Sequence, residues 1–376
     1  MLLLSGPNMG GNELKYVTEC IETGWVSSVG AYVDKFEKIS AEFAGTKYAV
    51  ATSCGTSALH ICLILTGVNE NDLVIAPNIT FVATLNSIKY MGASPVLIDT
   101  DEKNWQMDLN LLEEFLNNET SQNQNVCYHK KTGKRIPVIM PVHVLGNLCD
   151  MDRLLSLAKK HNLTIIEDST EALGSYYKGQ HAGSFGLLGT FSYNGNKIIT
   201  TGGGGMIVTN DEALAKKAKH LTTQAKIDPF EYMHDQIGYN YRLVNVAAAM
   251  GVAQMEQLPA FIKRKKEIIQ FYKSELESVG DIEFQEVSED VNPNWWMPTI
   301  KSTRQKDLLK ILNDNKMQSR PFWVPMNQLP MFANDIYYNK TNHSNFLYNH
   351  CLSIPCSTNI TDKELLEVSN KIKEVF

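Results

Sequence analysis

The chain has 376 residues, 43% hydrophobic and 20% charged, with a net charge of −6 and a pI near 5.9. This is the composition of a soluble globular protein long enough for two domains, and its acidic balance excludes general nucleic-acid binding. Seven cysteines without a Cys-x-x-Cys pair and nine scattered histidines give neither a disulfide framework nor a metal site, so the expected setting is the reducing cytoplasm and no metal is expected.

At the start, residues 1–7 lack the basic lead and apolar run of a secretory signal, and no later stretch is long enough to span a membrane. From residue 47 to 210, short apolar runs alternate with helical patterns. Residues 48–52, 73–76, 95–99, 136–141 and 163–167 read as buried strands, and 80–90, 109–117 and 151–161 as helices. This alternation predicts an α/β layer with a mostly parallel sheet. The polar stretch 118–135 reads as a surface excursion, and strands at 190–193 and 206–209 bracket a lysine loop. A long helix is predicted over 243–258, kinked or restarted at Pro259. Beyond it, strand fragments at 282–284 and 296–300 with helices at 305–315 and 362–375 read as a smaller α+β domain. The expected division is a large domain with an N-terminal arm over 1–254 and a small domain over 255–376.

Four constellations at predicted strand ends, and a fifth ahead of the long helix, could carry chemistry. Thr52-Ser53-Cys54-Gly55-Thr56-Ser57 opens a helix; its small residues and amides suit an anion, or simply cap the helix. Phe81, in Asn78-Ile79-Thr80-Phe81, could stack on a flat ring or fill the core. Asp168 and Glu171 follow a buried strand; Asp168 could pair with a protonated ring nitrogen or cap a turn. In Ser192-Tyr193-Asn194-Gly195-Asn196-Lys197-Ile198-Ile199-Thr200-Thr201, followed by four glycines, Lys197 has no charged neighbour. An amine held out of water becomes nucleophilic near neutral pH and can form a Schiff base, although phosphate clamping or a plain loop role is open to it as well. Gly238-Tyr239-Asn240-Tyr241-Arg242 could meet an anion or be a helix-entry turn. Trp295-Trp296 and Phe322-Trp323 read as packing residues, and His143 as a core histidine.

In this order the features resemble the DegT-type sugar aminotransferases, pyridoxal-phosphate enzymes of fold type I, the aspartate-aminotransferase fold. The likeness runs nearly end to end, from Gly24-Trp25-Val26-Ser27-Ser28 and Val33-Asp34-Lys35-Phe36-Glu37 through Gly55-Thr56, Asp168, Ser192 and Lys197 to Asn240. The lysine-loop wording is most similar to the branch that makes 4-amino sugars for bacillosamine- and legionaminic-type glycans. The resemblance implies pyridoxal 5′-phosphate as cofactor, bound covalently by Lys197, which then moves protons. Asp168 would meet the pyridine nitrogen, Phe81 the ring face, and Glu171 the phenolic-oxygen side. Gly55, Thr56 and Ser192 would hold the phosphate, joined by Asn240 from the second subunit of a homodimer with a shared active site. The implied reaction passes an amino group from glutamate or a similar donor to a nucleotide-linked 4-keto-6-deoxy-hexose, for bacterial surface glycans. A sugar dehydratase of the same fold usually replaces the lysine, and a regulatory protein on this fold would need neither Lys197 nor Asp168. Two departures stand out: Cys54 where the family has serine, and Pro325-Met326-Asn327 where it often has Pro-Leu-His.

Overall fold

Aliphatic and β-branched runs assemble, in the computed structural model of the chain, into an eight-stranded sheet covered by helices; the structure describes residues 1–228 and 230–376. Across it the strands run Tyr48–Thr52, Gly205–Thr209, Leu188–Ser192, Thr164–Asp168, Val138–Ile139, Leu73–Pro77, Ser94–Ile98 and Ile336–Tyr338. The Gly205–Thr209 strand is antiparallel to both its neighbours, and the remaining pairings are parallel. Central strands such as Leu73–Pro77 are buried along their whole length, as a sheet covered on both faces requires. The parallel strands end along one edge, where ligands of such sheets bind.

A second sheet of four antiparallel-paired strands lies in the C-terminal part, with Thr299–Lys301 and Cys351–Ser353 at its centre. The Asn245–Leu276 helix connects the two parts and passes through Pro259, so no restart occurs there. Burial of Leu258 and Phe261 on either side offsets the hydrogen bond that proline removes. The boundary expected between residues 254 and 255 therefore falls inside one continuous helix, and we retain it only as a proposed division. Among the connections that cross it are a strand pairing and the N-terminal arm. Residues Ile336–Tyr338 return to pair with Ser94–Ile98 in the large sheet. The N-terminal arm, which the expected division groups with the large domain, accepts from Gln254 Nε2 at the Asn8 carbonyl at 2.8 Å and also packs on the C-terminal part: Leu2 N–H donates to the Lys316 carbonyl at 2.9 Å, and Cys356 N–H to the Leu4 carbonyl at 2.8 Å.

The polar surface excursion contains a hairpin of Thr120–Asn123 and Val126–His129. Its turn residues Gln124 and Asn125 both have positive φ, 48° and 62°, as a two-residue hairpin turn of this hand demands. Neither is glycine, so the usual sequence signal is missing.

Candidate active site

The strand ends and the small sheet enclose a cavity of about 450 Å³. Gly55, Thr56, Phe81, Asp168, Glu171, Ser192 and Lys197 all line it; Asn240 does not.

Lys197 is placed by a tightly bonded loop. After the Leu188–Ser192 strand, the buried Tyr193 accepts at its carbonyl from Thr201 N–H at 3.0 Å and from the Thr200 hydroxyl at 3.1 Å. Tyr193 N–H donates to the Gly204 carbonyl at 2.9 Å. These bonds pin Thr200, Thr201 and Gly204 to Tyr193 and so close the loop that carries the lysine. Gly205 has no room for a side chain, since a Cβ there would lie 2.4 Å from the Cys54 carbonyl oxygen. The Lys197 side chain is 11% exposed, and its Nζ lies 4.0 Å from Glu171 Oε1. Burial lowers its pKa, opposed by Glu171 and Asp168.

Strand alternation separates two neighbouring carboxylates. Glu167 is structural: it accepts N–H bonds from Gly183, Phe185 and Gly186 at 2.6–2.8 Å and pairs with His143 Nε2 at 2.8 Å. Asp168 faces the cavity, with Oδ2 receiving the Thr84 hydroxyl at 2.6 Å and Oδ1 the Thr170 N–H at 3.2 Å. Glu171 is buried, and its Oε2 accepts the Leu145 N–H at 2.7 Å. Removal of water pushes its pKa up to about 7, helped by Asp168 and opposed by Lys197 and the Leu145 bond.

The Gly55–Leu65 helix begins at the cavity, so its free N–H groups point there. Cys54 caps it through sulfur, with Ser57 N–H donating at 3.4 Å. Gly55 sits close under Ser192: a Cβ would lie 3.0 Å from the serine Cβ. Phe81 is 55% exposed although it lines the cavity, so one ring face is free. Asn240 is exposed outside its own chain's cavity, accepting from Arg242 Nη2 at 3.1 Å. At the departure, Asn327 Oδ1 accepts from Asn78 Nδ2 at 2.9 Å and the Asn327 backbone N–H donates to Asn78 Oδ1 at 3.0 Å, which ties this C-terminal segment to the strand end before Phe81.

Trp296, Phe322 and Trp323, taken on sequence as packing residues, form part of the cavity wall. The indole of Trp296 lies with its centroid 4.0 Å from Lys197 Nζ. Pattern reading misses them because their place depends on how the two sheets meet.

A lysine beside a buried acid, an aspartate held by two donors, a free aromatic face and a helix N-terminus fit pyridoxal phosphate, with an amine-reactive aldehyde, a ring nitrogen and a phosphate to satisfy. Fold and site define a pyridoxal-phosphate-dependent aminotransferase. The model of the DegT/DnrJ/EryC1/StrS aminotransferase family matches residues 7–373, and the chain belongs to that family of sugar aminotransferases. It is 38% identical over 373 residues to a GDP-perosamine synthase of Escherichia coli O157:H7, covering 98% of this chain and 97% of that protein. It is 34% identical to the putative pyridoxal phosphate-dependent aminotransferase EpsN of Bacillus subtilis (strain 168), covering 100% of this chain and 96% of the relative. In fold it is similar to the aminotransferase TlmJ of Streptoalloteichus hindustanus, with a TM-score of 0.90 at 24% identity, over 100% of this chain and 98% of that one. Among the described residues no helix is long and apolar enough to cross a membrane, and no cluster of side chains suits a metal ion.

Proposed function

We propose that this sugar-nucleotide aminotransferase converts a nucleotide-linked 4-keto-6-deoxy-hexose to the 4-amino-4,6-dideoxy sugar, with glutamate as amino donor, for bacterial surface glycans. The observation that carries this reading is the convergence of Lys197, Asp168 and the Gly55 helix N-terminus on one cavity. We take GDP as the nucleotide, because three relatives at 34–38% identity are named GDP-perosamine synthase. That choice ranks ahead of the bacillosamine- and legionaminic-type branch suggested by the lysine loop.

When bound, pyridoxal phosphate carries the amino group and supplies an electron sink. Lys197 holds it covalently and moves the proton at the reacting carbon. Asp168, fixed by Thr84, keeps the ring-nitrogen proton through a charge-assisted bond. Thr56, Ser192 and the amides from Gly55 onward hold the phosphate, while Phe81 covers the ring. Glu171, with its raised pKa, holds a proton for the phenolic-oxygen side.

Asn240 completes the phosphate seat of the second subunit in a homodimer with shared sites. Its placement outside its own cavity supports this, as do the exposed apolar residues nearby: Phe230 at 90%, Tyr232 at 91% and Ile237 at 82%. A cytoplasmic location agrees with seven free cysteines.

Incubation of the purified protein with glutamate and GDP-, UDP- and dTDP-linked 4-keto-sugars, with mass detection, tests the reading. Amination of the GDP-linked sugar is expected. Absence of amination across the panel contradicts the proposed reaction, and amination of another nucleotide sugar alone contradicts the choice of GDP.

A further inference from the structure

Trp296 is held from three sides. Its N–H donates to Asn294 Oδ1 at 2.8 Å, its carbonyl accepts from the buried Lys265 Nζ at 2.7 Å, and its indole Nε1–H donates to the Asn196 carbonyl at 2.7 Å. The preceding Trp295 has a left-handed backbone, with φ of 54°, a costly conformation for an aromatic residue. That turn leaves Trp295 half-buried and Trp296 only 3% exposed. So much fixing places one group: the indole centroid 4.0 Å from Lys197 Nζ. An ammonium over an indole face is attracted by the ring quadrupole, most strongly where water is excluded.

We propose that Trp296 is a positioning residue, its indole face being the seat on which the ε-amino group of Lys197, in its charged form, rests when the lysine is released from the cofactor. The inference rests on the assignment of Lys197 as the cofactor lysine. Burial disfavours the charge of the free amine, and three groups then oppose that effect. Glu171, 4.0 Å from it, and Asp168 favour the ammonium when ionised, and the Trp296 indole, its centroid 4.0 Å from the same nitrogen, favours it as well. The seat holds the released lysine in place near Glu171, where the amine can take up and give back a proton.

The test uses the pyridoxamine-phosphate-loaded enzyme, in which Lys197 is free. The pH dependence of its acetylation by acetic anhydride, read on the Lys197 peptide by mass spectrometry, gives the titration midpoint of the amine. Replacing Trp296 by mono-, di- and trifluorotryptophan weakens the π face while nearly preserving shape. The midpoint is expected to fall stepwise, by about one pH unit in all, the size of a desolvated cation–π contact. Trp296→Phe is expected to keep most of the midpoint and Trp296→Leu to lose it. A midpoint unchanged by fluorination overturns the proposal, and so does an equal fall in the Phe and Leu variants. Borohydride reduction of the pyridoxal-phosphate form, run alongside, separates the two claims: a label on a different lysine sinks the Lys197 assignment itself, whereas a label on Lys197 with a flat fluorination series sinks only the seat.

Discussion

Burial sets the properties of Glu171 and Lys197 against each other. A buried acid pushed up to about 7 keeps a proton that the unfolded chain, at about 4.5, has lost. Its contribution to stability is therefore complete below pH 4.5 and lost as pH rises to about 7. Glu171→Gln removes this dependence, so the Tm of the cofactor-free protein should fall across that window relative to the variant; a constant difference between the two would contradict a raised carboxyl. Asp168→Asn should leave the circular dichroism unchanged and lower kcat at least ten- to a hundredfold, the loss of a charge-assisted bond of roughly 1.5–3 kcal/mol. Full activity in that variant would assign the ring nitrogen to another residue. Asp168 and Lys197 were legible in the sequence because each follows a buried strand at the sheet edge where ligands bind. Trp296 was not, since its position over Lys197 depends on Asn294, Lys265 and Asn196, residues 2, 31 and 100 positions away.

The start of the Gly55–Leu65 helix is held against the glycine run, and the two elements have to be judged together. A Cβ at Gly205 would lie 2.4 Å from the Cys54 carbonyl oxygen and 2.6 Å from Thr52 Oγ1, so Gly205→Ala pushes the helix start off the strand. Overpacking of this kind costs about 1–3 kcal/mol. Urea unfolding of the cofactor-free protein should register that loss, and cofactor titration should show weaker binding; wild-type values in both would mean that the turn adapts freely. Period and strand-end motifs made most elements of the large sheet readable. Where they failed, tertiary packing or an atypical turn decided: Leu258 and Phe261 anchor the helix around Pro259, Gln124-Asn125 turns a hairpin without glycine, and Ile336–Tyr338 finds its partner strand more than 200 residues earlier in the chain.

At the scale of the whole molecule, the single chain presents Phe230, Tyr232 and Ile237 to water close in sequence to Asn240, and its cavity lacks the asparagine assigned to the phosphate. The dimer should therefore be required for cofactor retention, and bound cofactor should raise its stability by mass action. Mixing Lys197→Ala protein with an Asn240→Ala variant weak in cofactor binding should, after subunit exchange, give activity above either parent, because the hybrid contains one site built from two unmutated surfaces. Demonstrated exchange without recovered activity, or an active monomer, would return residues 238–242 to a plain helix-entry turn. All of this depends on one covalent bond, so the most direct measurement is borohydride reduction of the cofactor-loaded enzyme followed by peptide mapping. A pyridoxyl group on Lys197, absent from the Lys197→Ala protein, is expected. A pyridoxyl group on any other lysine of the wild-type enzyme, or none at all, would contradict it.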